Sequence, residues 1–124
     1  MSKELTVAAE EMTLSEMSER AHANSRDKGW YDGEEKRNIG EMLMLIVTEI
    51  AEAMEDYRNG KMEMWYEPKR DGNDKPCGFP SEIADIVIRC GDLCGHLNID
   101  LQDAVAKKMA YNATREYRHG GKKA

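Results

Sequence analysis

The chain has 124 residues, which is enough for one domain with a modest hydrophobic core and too few for two domains. Its net charge of -6 argues against broad nucleic-acid binding through bulk electrostatics. Apolar residues make up 40% of the chain and charged residues 34%, a balance that is typical of a soluble globular protein.

Four helices are predicted, and they define an all-α fold. Thr13 and Glu16 form a capping box that opens the first helix, which is expected to end near Lys28, before Gly29. Residues 1–12 precede it as an N-terminal extension. The start of the amino terminus has no apolar core of the kind that an export signal requires.

Asn38 with Glu41 opens the second helix, which is strongly apolar on one face and ends at Asn59 and Gly60. The segment 59–80 holds all three prolines of the chain and is therefore predicted to be a loop. A short extended piece is expected within it, at MEMWYE.

A third helix is predicted from Pro80 to about Leu97, and a fourth from Asp100 to about Arg115. Residues 117–124 are expected to form a flexible basic tail. No run of residues approaches the roughly 20 apolar residues that a membrane-spanning helix needs, so we expect no membrane attachment.

The three cysteines form an odd count, which favours free thiols over a disulfide framework. Cys90 and Cys94 lie four residues apart on the third helix and close to His96. A zinc site would need a fourth ligand at suitable spacing, and the sequence offers none. Buried core cysteines are therefore the favoured interpretation.

Two pairs of acidic residues border the apolar stripes of the second and third helices. Glu49 and Glu52 lie about 60° apart around one helix, and Glu82 and Asp85 have the same spacing on the other. If the stripes pack together, four carboxylates converge and repel one another unless a cation neutralises them. Mg2+ prefers such oxygen ligands and keeps positions open for phosphate oxygens. The alternative is a pair of solvated helix faces.

The fourth helix carries charge of the opposite sign. Lys108, Asn112 and Arg115 follow i, i+4, i+7 spacing and share a face with Leu101 and Val105. A lysine and an amide beside a carboxylate seam would suit a phosphorylated ligand that bridges metal and cation. The alternative is a surface helix with salt bridges.

In combination, Glu49-x-x-Glu52, a spacer of 29 residues, Glu82-x-x-Asp85 and KMAYNATR resemble the MazG-like, all-α nucleoside triphosphate pyrophosphohydrolases. The resemblance runs from about His22 to the HGGK tail, and the tail is similar to that of small, stand-alone, phage-type members. It implies hydrolysis of a nucleoside triphosphate to the monophosphate and pyrophosphate. It also implies a homodimer or homotetramer in which helices of two subunits complete the site.

The resemblance further implies that Mg2+, with Mn2+ as a substitute, is bound by four carboxylates, those of Glu49, Glu52, Glu82 and Asp85. Lys108 and Asn112 would contact the substrate, with Arg115 on the same face. Glu49 is then the candidate for the carboxylate that orients or deprotonates the attacking water.

Related deoxycytidine triphosphatases place a histidine and a tryptophan around the base, and His22 and Trp30 occupy similar positions. Trp30 as a core anchor is the alternative. Arg89 stands where those relatives have a tyrosine, which leaves the sugar preference open. In the tail, Lys122 either closes over a triphosphate as part of a lid or belongs to a solubilising end.

We expect a small-molecule nucleotide substrate, no stable nucleic-acid binding, and a location in the cytoplasm of a bacterium or a phage-infected host. Two other function classes are alternatives. In one, the protein is a non-catalytic helical interaction module whose acid pairs are solvated. In the other, it is a di-iron carboxylate protein, a fold that needs two Glu-x-x-His motifs where the sequence offers only Glu19 with His22.

Overall fold

The structure, a computed structural model, describes residues 11–33 and 36–123. In chain order its elements are α1 (Leu14–Asp27), α2 (Ile39–Arg58), β1 (Trp65–Glu67), β2 (Lys75–Cys77), α3 (Phe79–His96), α4 (Leu101–Ala113) and α5 (Arg118–Gly121). The expected, mostly helical character is confirmed. Most of the predicted N-terminal extension, residues 1–10, lies outside the described residues. Within them, no helix combines the length and the apolar character that crossing a bilayer requires.

Polar side chains cap three of the helices at their predicted starts. At Thr13, Asn38 and Asp100, the side-chain oxygen accepts a hydrogen bond from the amide three residues later. Each cap satisfies an amide that has no partner inside the helix, and this fixes where α1, α2 and α4 begin.

The segment predicted as a loop contains a β-hairpin. β1 forms at the predicted extended piece and pairs antiparallel with β2, with Trp65 opposite Cys77 and Tyr66 opposite Pro76. The sequence pattern does not predict β2, because a proline normally argues against a strand. In a two-stranded sheet each strand is an edge strand, and proline is tolerated there.

α3 begins at Phe79, one residue before the predicted start. The preceding Gly78 has a φ of 100° and lies against the carbonyl of Glu63, so a Cβ atom there would clash with the main chain. The Phe79 amide donates to the carbonyl of Lys61 over 2.9 Å. These contacts tie the base of the hairpin to the start of α3 and fix the position of the acidic residues that follow.

α3 is the central helix of the fold. It packs against both α1 and α2, which make no comparable contact with each other among the described residues. Gly91 and Gly95 let α1 approach closely, since a Cβ atom at either would meet Met17 or His22. At this crossing the Ser18 hydroxyl donates to the Gly91 carbonyl over 2.7 Å.

The hydrophobic core of the single chain is small. Met42, Ala53 and Leu93 are its buried apolar residues within the described ranges. A second face of α2 is apolar and exposed; it consists of Leu43, Met44, Val47, Ile50 and Met54. We call these five residues the α2 apolar face. A contiguous apolar surface of this kind is typical of a protein interface.

The segment predicted as a flexible basic tail contains α5. The amide of Lys122 donates to the carbonyl of Arg118 over 2.7 Å and closes this short helical turn. A composition rich in glycine and lysine does not predict such a turn. Lys122 itself is exposed.

Candidate functional site

Three of the four predicted carboxylates meet between α2 and α3. Glu49, Glu82 and Asp85 each offer an oxygen, and these three oxygens lie within 4.8 Å of one another. In the part of the chain that the structure describes, no other group of three or more His, Cys, Asp or Glu side chains lies close enough to hold a metal ion. Three carboxylate oxygens fit a hard divalent cation such as Mg2+ or Mn2+. We call these residues the acid triad.

Glu52, the fourth predicted ligand, lies beside the acid triad, where it lines a groove with Asp56 and Glu82. One oxygen of Glu82 and one of Asp56 are buried and have no hydrogen-bond partner among the described residues. Buried carboxylate oxygens without a partner are costly unless a proton or a cation neutralises them. Asp56 is not among the predicted ligands, although it follows Glu52 by one helical turn.

The crowding of carboxylates changes their ionisation. Burial raises the pKa of Glu82 to about 7, and the neighbouring Glu52 adds to the effect. Burial also raises the pKa of Asp85, with the charge of Glu49 as the next cause. A bound divalent cation would favour the ionised form of both groups and so reverse these shifts.

The metal-free protein is expected to lose stability as the pH rises from about 4.5 to about 7. The pKa of Glu82 is about 7 in the folded protein, above the ordinary 4.5, so the folded state favours the protonated carboxyl group. The stability that this proton contributes is present at low pH and is lost as the pH rises through 7. Thermal unfolding at several pH values in a chelating buffer measures the loss. Glu82→Gln should flatten this dependence, whereas Glu116→Gln, at an exposed site, should leave it unchanged. Equal slopes for the wild type and Glu82→Gln would contradict the assignment.

Arg89 contacts the acid triad directly. Its Nε donates to Oε1 of Glu49 over 3.0 Å. The side chain of Glu49 is 11% exposed and that of Arg89 is 41% exposed. A nearly buried carboxylate is thus paired with a guanidinium group that reaches solvent.

A cleft of about 440 Å³ adjoins the acid triad and is lined by residues of α1, α2, α3 and the segment that follows α1. Its volume lies in the range of small-molecule sites. Asp85, Arg89 and Asp92 line it from α3 at i, i+4, i+7 spacing, so they share one helix face over about 10 Å. Trp30 and Arg37 also line this cleft. Arg37 lies 3.7 Å from Asp92, so Trp30 and Arg37 lie at the Asp92 end of the cleft, away from Asp85.

Asp92 organises that end of the cleft. It is 8% exposed and accepts hydrogen bonds from the Tyr31 hydroxyl over 2.8 Å and the Ser25 hydroxyl over 3.0 Å. His22 Nδ1 lies 3.0 Å from the same carboxylate. Burial raises the pKa of Tyr31 to about 12, with Asp92 as the next cause, so the phenol stays protonated and remains a donor. This polar cluster ties α1 and the following segment to α3.

The two predicted base-contacting residues lie in different places. Trp30 is 65% exposed and lines the cleft, so its interpretation as a core anchor is wrong. The Arg37 guanidinium lies 5.7 Å from the Trp30 ring centre, a cation–π arrangement that holds the ring. His22 lines a separate cavity between α1, α3 and α4, and it reaches the cleft only through Asp92.

The structure does not bring the predicted substrate contacts of α4 to the acid triad within one chain. Lys108, Asn112 and Arg115 are exposed. α4 packs against α1, where the Ser15 amide donates to the Gln102 side chain over 3.0 Å. It makes no comparable contact with α2 or α3 in the described ranges. The spacing of charges along α4 is as predicted, but the side of the fold to which α4 docks is not.

Two alternative site chemistries, a zinc site and a di-iron site, find no support in the described residues. Cys90 and Cys94 are free thiols and form no metal-binding group with His96. Burial raises the pKa of the Cys94 thiol, which keeps it protonated. The acid triad contains no histidine, whereas a di-iron site built from Glu-x-x-His motifs requires them.

Comparison of the chain with protein families, with curated proteins and with solved structures finds no match. The acid triad, the adjoining cleft and the order of the motifs are therefore the basis for assigning a function.

Proposed function

We propose that this protein is a MazG-like, metal-dependent nucleoside triphosphate pyrophosphohydrolase, which converts a (deoxy)nucleoside triphosphate to the monophosphate and pyrophosphate. The observation that carries the proposal is the acid triad at one end of a cleft whose other end holds Trp30. Carboxylates that hold a divalent cation suit a polyphosphate, and an exposed indole face suits a stacked base.

The residues of the acid triad have distinct roles in the proposed reaction. Glu49, Glu82 and Asp85 hold Mg2+, or Mn2+ in its place, and Glu52 is close enough to Glu82 to assist them. A divalent cation held there would supply a Lewis acid for the α-phosphate and would lower the pKa of the attacking water. Glu49 orients or deprotonates that water as a general base, a part that its near-complete burial suits by excluding bulk solvent.

The far end of the cleft positions the nucleoside. Trp30 offers its ring for stacking, and Arg37, held by Asp92, fixes the orientation of that ring. His22 acts here as a positioning residue, because it supports Asp92 and does not line the cleft. The protein binds a nucleotide and needs no nucleic acid or membrane for this reaction.

We propose that a second copy of the chain completes the site, in a homodimer or homotetramer. The α2 apolar face is uncovered within one chain, and α4, which carries Lys108 and Asn112, makes no comparable contact with α2 or α3 among the described residues. A partner subunit that covers this face brings further helices next to α2 and so to the triad. The molar mass in solution, measured by sedimentation, should be at least twice that of the chain; a monomer with full activity would contradict the arrangement.

The reaction is tested with a panel of canonical and modified nucleoside triphosphates in the presence of Mg2+ and 18O-labelled water. Attack at the α-phosphate is expected to release pyrophosphate and to place the label in the monophosphate. Label in pyrophosphate would move the attack to the β-phosphate. Orthophosphate with a diphosphate would exclude the proposed reaction type.

A chelator serves as the control, since it should stop turnover without unfolding the helices. If no nucleotide is hydrolysed and Mg2+ leaves the thermal stability unchanged, the acid residues bind no metal and the protein is a non-catalytic helical interaction module.

A further inference from the structure

Arg89 places a positive charge inside the group of carboxylates that the proposed metal would use. Its Nε is bonded to Oε1 of Glu49, and Glu49 contributes an oxygen to the acid triad. Because the Glu49 side chain is nearly buried, its charge needs a partner in the metal-free protein. Arg89 supplies that partner.

The arginine and a divalent cation compete for the same carboxylate. Two cations beside Glu49 repel each other strongly in a partly desolvated site, so metal binding weakens the hold of Glu49 on Arg89. The Arg89 side chain is 41% exposed and lines the cleft. It can therefore leave Glu49 by rotating within the cleft, without disturbing the packing of α3.

We propose that Arg89 is a displaceable counter-ion, which neutralises Glu49 in the metal-free protein and contacts the phosphates of the nucleotide once the metal is bound. This inference rests on the proposed function and adds a second role for one residue. A guanidinium group suits the second role because its planar set of donors fits phosphate oxygens in pairs.

Two further carboxylates outside the acid triad line the cleft and are available to a displaced Arg89, those of Glu41 and Asp92. Asp92 already accepts hydrogen bonds from the hydroxyls of Ser25 and Tyr31. Glu41 is exposed, and an exposed ion pair contributes little free energy. A triphosphate carries several negative charges and lies beside the metal. It is therefore the preferred partner for Arg89 in the loaded site.

The proposal has a signature that neither a structural role nor simple substrate binding would produce. Removing the guanidinium group takes away a competitor of the metal, so the metal alone should bind more tightly. The same change removes a phosphate contact, so a polyphosphate should bind less tightly to the metal-loaded protein. If Arg89 were merely structural, its removal would weaken the binding of both the metal and the polyphosphate. If it were a simple substrate contact, its removal would weaken only the binding of the polyphosphate.

The experiment is calorimetric titration of the wild type and Arg89→Met with Mn2+ alone, and then with inorganic tripolyphosphate at saturating Mn2+. Arg89→Met should bind Mn2+ about fivefold or more tightly and tripolyphosphate about ten- to a hundredfold more weakly. Arg89→Lys keeps the charge and loses the paired donors, so its affinities for Mn2+ and tripolyphosphate should lie between those of the wild type and Arg89→Met. Arg58→Met, which removes an exposed partner of Glu55, is the control and should change neither affinity.

Unchanged or weaker Mn2+ binding by Arg89→Met overturns the counter-ion role, and unchanged tripolyphosphate binding overturns the phosphate contact. These failures are distinct from failure of the proposed function. In that case the wild type and every variant would show no Mn2+ binding, which would overturn both proposals together.

Discussion

Glu49→Gln and Asp85→Asn are each expected to lower the rate of nucleotide hydrolysis by at least about a hundredfold while the helices stay folded. Both residues offer oxygens to the acid triad, and an amide cannot replace a carboxylate as a charged ligand of a hard cation. Even residues that only support a metal ligand typically contribute ten- to a hundredfold to affinity or activity, so that range is a lower bound for a ligand.

Steady-state kinetics at saturating Mg2+ and circular dichroism measure the two parts of this expectation. Asp71→Asn, in the exposed segment between β1 and β2, is the matched control and should hydrolyse nucleotide at the wild-type rate. Full activity in both triad variants would remove the metal centre from the proposal. Glu52→Gln then measures how much the neighbouring fourth carboxylate contributes.

Asp92→Ala is expected to lower the free energy of unfolding by about 3–5 kcal/mol, the usual effect of removing one partner from a buried charged cluster. The substitution leaves Tyr31, Ser25 and His22 without their shared acceptor and removes the carboxylate that faces Arg37. Since a small domain has about 5–15 kcal/mol of stability in total, the variant should be close to unfolding.

Urea unfolding with linear extrapolation measures this change. Asp103→Ala is the control, because Asp103 is exposed and its carboxylate pairs with Lys107 on the surface of α4 over 2.8 Å. Its expected effect is below about 1 kcal/mol. Equal losses for the two variants would show that the Asp92 cluster is not a special source of stability.

The helices could be predicted from the sequence because their signals are local. A cap such as Asn38 and the apolar stripe that follows it act within one helix, and the structure places α2 as predicted. The acid triad could be predicted for a related reason. Both acid pairs border apolar helix stripes, and two such stripes are expected to pack against each other. β2 was not predictable in this way, because proline argues against a strand and Pro76 is tolerated only since each strand of this two-stranded sheet is an edge strand.

The cluster around Asp92 could not be predicted, because its members come from distant parts of the chain. Ser25, Tyr31 and His22 lie 67, 61 and 70 positions away from Asp92. One signal was present in the sequence: Asp92 continues the row of Asp85 and Arg89 along one face of α3. The docking side of α4 had no such signal, since the order of charges on a helix does not specify which neighbour it packs against.

The central position of α3 also affects the order in which α1 and α2 dock during folding. The pair of Glu49 with Arg89 closes 40 positions of chain, and the contact of Ser18 with Gly91 closes 73. Loop-closure entropy grows only with the logarithm of length, so the longer closure costs about 0.5 kcal/mol more. Chain connectivity therefore hardly distinguishes the docking of α1 from that of α2. The order in which the two helices join α3 is therefore expected to depend on the contacts that each makes with it, such as Ser18 with Gly91 for α1 and Glu49 with Arg89 for α2.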